Sequence, residues 1–228
     1  MANAYFTEET FDFLSDLKAN NRREWFERNR ERHRQHVQEP AIRFVTDFAR
    51  PLARISDSYL ADPRPNGGSI FRIYRDTRFS KDKTPYKTHV AMQFRHRDAR
   101  DVHAPGFYVH LGMDGVFVGV GIWHPDSTTL KKIRDAIVEK PAGWKRVAGH
   151  AGFRGRFEME GDSLKRAPAG IDPDHPLIED LKRKDFVGIA PVDREIAVSQ
   201  GFLEEVAATC RAGTPLVRYL CGALDLTF

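Results

Sequence analysis

The sequence predicts an α+β fold: an antiparallel meander of about four or more strands, packed on N-terminal and C-terminal helices, in one domain over 1–228. Three observations predict it. Apolar residues recur at helical spacing in a first part, 7–60, and again in a mixed part, 126–228. Between 70 and 123 the period changes to two, that of a half-buried strand. Asp114-Gly115 sits between two such alternating runs, and that dipeptide is a hairpin signal, so neighbouring strands run antiparallel.

The elements follow in order. Thr7 is placed to cap a first helix, with Glu8 and Glu9 suiting its positive end. The third residue after Thr7 is Thr10, not Glu or Gln, so no capping box is expected. Phe11, Phe13, Leu14 and Leu17 give this helix its apolar stripe, and Asn20-Asn21 closes it. A second helix is expected from Arg22 to Gln38, with Trp25 and Phe26 inward and mixed charges outward. Pro40 fits the first turn of a third helix. Ile42, Phe44, Val45, Phe48, Leu52 and Ile55 form its buried side, and Pro51 predicts a kink or break. Residues 62–68, rich in Pro and Gly, are a loop.

Four strands are expected next: Ile70–Asp76, Thr88–His96, Gly106–Gly112 and Val116–Trp123, with a polar loop over Arg97–Pro105. Gly119 and Gly121 predict a bulge in the last strand, or a place where a ligand approaches the backbone. Asp126 or Ser127 then caps a helix with Leu130, Ile133, Ala136 and Ile137 inward. Around Trp144 a short helix is expected, over Phe153–Met159 a strand, and over Arg166–Pro176 a loop. A helix from Pro176 to Lys184 precedes an extended run, Phe186–Ala197, in which Pro191 argues against a central strand. Two closing helices, Ser199–Arg211 and Pro215–Leu224, are separated by Gly213 acting as a C-cap.

Composition narrows the class. With 41% hydrophobic and 30% charged residues the chain suits a globular domain, and the mean hydropathy is −0.51. No apolar run approaches the ~20 residues that span a bilayer, and the first residues do not read as a signal peptide, so no membrane partner and a cytoplasmic location are expected. Cys210 and Cys221 read as buried free thiols, with a disulfide left open. The net charge of +4 is a weak nucleic-acid signal. The sequence sets no oligomeric state.

The functional expectation centres on residues 70–89. Arg72, Arg75, Arg78, Lys81, Lys83 and Lys87 face only Asp76 and Asp82, an excess of four positive charges, equal to that of the whole chain. Phe71, Tyr74, Phe79 and Tyr86 are interleaved with them and are expected to anchor the loop. Arginines held by a sheet suit forked recognition of carboxylate or phosphate. The polar face of the meander could present Tyr74, His89, Gln93, Arg95, Tyr108 and His110, of which Tyr74, His89, Tyr108 and His110 would orient a ligand; register between the strands is not set by the sequence.

This stretch also carries a resemblance. The run Phe71-Arg-Ile-Tyr-Arg-Asp76, then Arg78-Phe-Ser-Lys-Asp-Lys83 and Pro85-Tyr-Lys87, resembles the signature of the domain-of-unknown-function 2461 family. The segments Gly121–Asp126, Leu164–Pro168 and Asp174–Pro176 resemble its later motifs, and the likeness extends from Phe6 to about Leu220. It implies a single-domain α+β character and supplies no activity or catalytic residues.

No Walker loop, G-x-G-x-x-G, H-E-x-x-H or G-x-S-x-G is present. His89, His110 and His124 could converge with Asp76 or Asp126, but scattered histidines are more often packing or surface groups, so neither metal nor cofactor is assigned. Acid–base work by a histidine with Asp76 fits on residue type alone. Three readings stay open: a cationic pocket for an anionic small molecule, nucleic-acid contact by the same basic surface, and a structural ion-pair clamp.

Overall fold

A computed structural model of the chain describes residues 4–98 and 104–228. Its centre is a six-stranded antiparallel sheet in the order β1-β2-β3-β4-β6-β5. The strands are β1 (Tyr59–Leu60), β2 (His89–His96), β3 (Gly106–Gly112), β4 (Gly115–Ile122), β5 (Glu158–Glu160) and β6 (Phe186–Pro191). The helices are α1 (Glu8–Ala19), α2 (Arg23–Arg28), α3 (Arg30–His33), α4 (Glu39–Ile55), α5 (Ser127–Glu139), α6 (Pro141–Ala148), α7 (Ala151–Arg154), α8 (Ile178–Leu181), α9 (Arg194–Ala197) and α10 (Phe202–Ala223). One π-helical turn, Arg34–Gln38, joins α3 to α4. This is the expected α+β architecture; three of the four strands read between 70 and 123 are present as β2, β3 and β4, joined by β1, β5 and β6.

Register sorts the side chains into two faces. Val90, Met92 and Phe94 stand beside Leu111, Val109 and Phe107, and these meet Val116, Val118 and Val120 on β4. That face is buried under α4 and α10: Phe48 of α4 packs on Phe94 with ring centroids 4.7 Å apart. The opposite face carries His89, Gln93, Tyr108, His110, Phe117, Gly119 and Gly121, and no helix among the described residues covers it.

Several boundaries differ from the sequence expectation, each for a local reason. Thr10 does complete the reciprocal cap of α1: its Oγ1 accepts the Thr7 N–H at 3.2 Å and donates to the His36 carbonyl at 2.7 Å. A threonine hydroxyl can therefore replace the glutamate of the usual box. Helix α4 runs through Pro51, because the apolar row Phe44, Val45, Phe48 and Leu52 is buried on both sides of it and outweighs one missing hydrogen bond. Gly213 ends nothing. It lies inside α10, where a Cβ would sit 2.7 Å from Val120 Cγ1; the glycine lets the helix backbone approach β4. Pro215 is carried in the same helix.

Strand β6 is interior, contrary to the reading of Pro191. The proline pairs with Phe117 of β4, but β5 reaches only Val187 to Ile189, so no strand needs its missing N–H. The expected Phe153–Met159 strand is reduced to Glu158–Glu160, and the Pro176–Lys184 helix to Ile178–Leu181.

The largest departure is at 70–76. Only two bridges form, Ile70 to Met92 and Tyr74 to Tyr86. Four steps along the outgoing chain thus match six along the return, so two extra residues bulge out near Lys87–His89 and break the ladder. What remains is an irregular ribbon, tied by Phe71 N–H to Ala91 O at 2.9 Å and Lys87 N–H to Ile73 O at 2.7 Å. Asn21 clamps it to α1: its Nδ2 donates to Tyr86 O at 2.9 Å, and Tyr86 N–H donates to its Oδ1 at 3.0 Å. The expected Arg97–Pro105 loop falls in large part outside the described residues.

Candidate functional site: the uncovered sheet face

The uncovered face holds a cleft of about 490 Å³, within the usual range for small-molecule sites. Its floor is nearly bare backbone. Gly106 and Gly121 lie directly opposite one another, and Gly119 lies opposite Tyr108. Strand β4 pairs one to one with β3 and β6 along its length. The expected bulge is therefore absent, and the glycines make room. At Gly121, with φ +117, a side chain would also meet the Phe186 carbonyl. Phe71, Tyr108, Phe117 and Trp123 form the walls, with Val187 and Ile189 beyond and Glu160 at the β5 edge.

Two polar groups of the cleft, Tyr108 and His110, form a short chain with Asp114 at the β3–β4 turn. Asp114 Oδ1 lies 3.2 Å from His110 Nε2, and His110 Nδ1 lies 3.2 Å from the Tyr108 hydroxyl. A carboxylate only accepts, so Nε2 carries the His110 proton and Nδ1 accepts from Tyr108. Burial pushes the Tyr108 phenol up to about 12, which keeps it a donor. His110 is sandwiched between Phe117, stacked at 4.5 Å, and His89 at 4.6 Å. Burial, with the neighbouring His110 second, lowers His89 to about 4, so near neutrality it is an uncharged ring.

The basic stretch is arranged differently from a single cationic pocket. Arg75 is paired with Asp82 and bonds the Thr84 hydroxyl. Arg78 grips Asp76 at 2.7 Å. The carboxylates respond: the Arg78 hydrogen bond lowers Asp76 to about 2, and the Thr84 N–H, then Arg75, lower Asp82 to about 2. Lys83 donates to Thr77 O at 2.9 Å. These groups build the loop. Lys81 is exposed, and no ion pair to it or to Arg72 is found among the described residues. Lys87 donates to the Arg72 carbonyl at 2.7 Å and stands 5.4 Å from the centre of the Phe71 ring. Burial, then the nearby Arg72 charge, lowers its pKa.

Two cations with no ion pair among the described residues, Arg72 and Lys87, thus flank Phe71, a wall of the cleft. Arg72 lines an adjoining hollow of about 420 Å³ that shares Phe71 and His89 with the cleft. Of the residues expected to orient a ligand, His89, Tyr108 and His110 line the cleft together. Tyr74 does not; it lies against Tyr86 at 5.5 Å, half exposed. Of the expected aromatic anchors, Tyr86 is buried and stacks on Phe26 at 4.2 Å, whereas Phe79 is 95% exposed.

No group of three or more potential metal ligands is found among the described residues. His124 stands apart from His89 and His110: its ring Nδ1 is 3.1 Å from Asp185. Asp126 caps α5 through the Thr129 N–H at 2.8 Å. The sequence reading missed Phe117, Trp123, Glu160 and Asp185. The glycines of β4 were its one signal for the floor.

Fold and site define an α+β protein whose antiparallel sheet is covered by helices on one face and left as an aromatic-walled cleft on the other. The chain belongs to the family described as conserved hypothetical protein (DUF2461), whose profile matches residues 9–219. No curated protein and no solved structure matches it. No helix among the described residues is long and apolar enough to cross a membrane.

Proposed function

We propose that the cleft binds a small organic molecule with a planar apolar body and a carboxylate or phosphate at one end. The observation that carries this reading is the bare glycine floor between aromatic walls on an uncovered sheet face. A flat ring system can lie against backbone there, in contact with Phe71, Phe117 and Trp123. The anionic end is assigned to the Phe71 side, where Lys87 and Arg72 make no ion pair among the described residues and neutral His89 can donate or accept. Of the basic stretch, Arg72 and Lys87 are thus the ligand-binding members. Arg75, Arg78 and Lys83 hold the loop, and Lys81 stays in solvent. Two buried free cysteines, Cys210 and Cys221, agree with a reducing, cytoplasmic compartment.

Ligand-observed NMR with benzoate, 2-naphthoate, phenyl phosphate and neutral 2-naphthalenemethanol tests it. The aromatic anions are expected to bind the wild type. Gly119→Leu, which fills the floor against Ile189 and Tyr108, should abolish binding. Lys87→Gln should weaken the anions by about tenfold, as for loss of a charge-assisted contact, and leave the neutral alcohol unchanged. Equal binding to Gly119→Leu, or no binding by any of the four, sinks the reading.

A further inference from the structure

The Trp123 end of the cleft carries a second arrangement. Asp185 is fully buried. Its Oδ1 accepts the His124 backbone N–H at 2.7 Å, and its Oδ2 accepts the Asp162 N–H at 2.9 Å. The same Oδ1 lies 3.1 Å from His124 Nδ1, while the His124 side chain is 57% exposed. The ring contact is a close approach and not an aligned hydrogen bond; a bare Nδ1 lone pair facing that oxygen would be repelled, so the proton is placed on Nδ1 and the neutral ring presents Nε2 as a lone pair.

The surroundings are built around this contact. His124 has φ +48, an unusual conformation for a residue that precedes a proline, and Asp185 holds it there through the backbone N–H. Gly161, at φ +103, brings the end of β5 so close that a Cβ would lie 2.4 Å from Asp185 Cβ. Trp123 and Glu160 line the cleft, and the Trp123 and His124 rings are 4.7 Å apart. A buried carboxylate behind an exposed imidazole beside a cleft is the arrangement of a general base.

We infer that His124 and Asp185 form an acid–base dyad at the rim of the cleft, with His124 Nε2 accepting a proton from a hydroxyl group or water held there. The proton moves from that oxygen to Nε2. The imidazolium is stabilised by the Asp185 charge beside Nδ1–H; the activated oxygen forms a bond to the carbonyl carbon of an ester of the aromatic acid, the ester C–O bond breaks, and Nε2–H gives its proton to the alkoxide that leaves. The substrate class, an aromatic acid derivative bearing or approached by a hydroxyl group, rests on the cleft reading. The chemistry of the dyad does not.

Acylation by diethyl pyrocarbonate, followed residue by residue by mass spectrometry on the intact protein, reads the dyad without a known substrate. His150 is an internal control. It is exposed, but its Nδ1 accepts the Phe153 N–H at 3.3 Å, so its unprotonated nitrogen is occupied. His124 is expected to react fastest of the nine histidines, and Asp185→Asn to slow it at least about tenfold by releasing the tautomer. Imidazole ¹⁵N NMR of the wild type should show His124 as the Nδ1–H tautomer. A His124 that reacts no faster than His150, or that carries its proton on Nε2, overturns the dyad even if Asp185→Asn does not fold. A ligand held in the cleft should protect His124; binding without protection removes the dyad from that site. Failure of all aromatic anions to bind refutes the cleft reading alone.

Discussion

Gly213→Ala separates tertiary packing from helix propensity. In the middle of a helix the change should stabilise by about 1 kcal/mol. Here the new Cβ would lie 2.7 and 2.8 Å from the two Val120 methyls and 3.0 Å from Val120 Cβ, where carbon contacts prefer about 3.5–4.0 Å. Val120 is β-branched, stiff about χ1 and almost fully buried, so it cannot swing aside. Relief requires α10 to lift from β4. Overpacking of this kind costs roughly 1–3 kcal/mol, and we place the gross cost near the upper end because three atoms are too close. The net expectation is a destabilisation of about 1–2 kcal/mol, read as a lower urea midpoint with an unchanged m-value. Val120→Ala removes both methyls. In that background Gly213→Ala should be neutral or stabilising, a coupling of about 1–2 kcal/mol. A single Gly213→Ala variant more stable than the wild type would refute the close approach of α10 to β4.

Two further predictions concern the N-terminal part. Burial holds the His33 imidazole down at about 4, below its ordinary 6.5; the unfolded chain therefore takes up the proton first, and stability falls as pH drops from about 6.5 towards 4. Between pH 7 and 5 the loss from this group is roughly 2 kcal/mol, and His33→Phe should flatten urea midpoints over that range; an unchanged pH slope contradicts it. Asn21→Ala removes both bonds that clamp Tyr86 to α1 and should cost about 1–3 kcal/mol, with faster amide exchange over 70–87; exchange unchanged there would show that the ribbon is held by other contacts.

How far the sequence could be read depended on where the determining contact lay. The hairpin at Asp114-Gly115 and the alternation of β2, β3 and β4 are local patterns, and they predicted the sheet and its polar face; that His89, Tyr108 and His110 meet depends on register between strands, which alternation does not set. The roles of Gly213, Pro191 and Pro51 are not local. Each depends on a neighbour distant in sequence, respectively Val120, the short reach of β5, and the core beneath α4. Such residues resemble helix and strand breakers until the neighbour is known. The ribbon at 70–76 alternates like a strand, but the two-residue slip against 86–92 is a pairing property that no single segment carries.

The same limit explains the site. The charge excess at 72–87 is visible in composition, but which cations meet Asp76 and Asp82 is set by the loop's conformation, and that leaves Arg72 and Lys87 as the pair beside the cleft. The cleft floor is written as glycines on β4, which by themselves also fit a bulge. Asp185 gave no signal, because its partner His124 lies 61 residues earlier.

Amide chemical-shift mapping with 2-naphthoate tests the central claim most directly. Saturable shifts are expected, concentrated at Gly106, Gly119, Gly121 and Val187, with a smaller set near Lys87. Shifts confined to the exposed loop from Asp76 to Lys83, or none at saturating ligand, would contradict it.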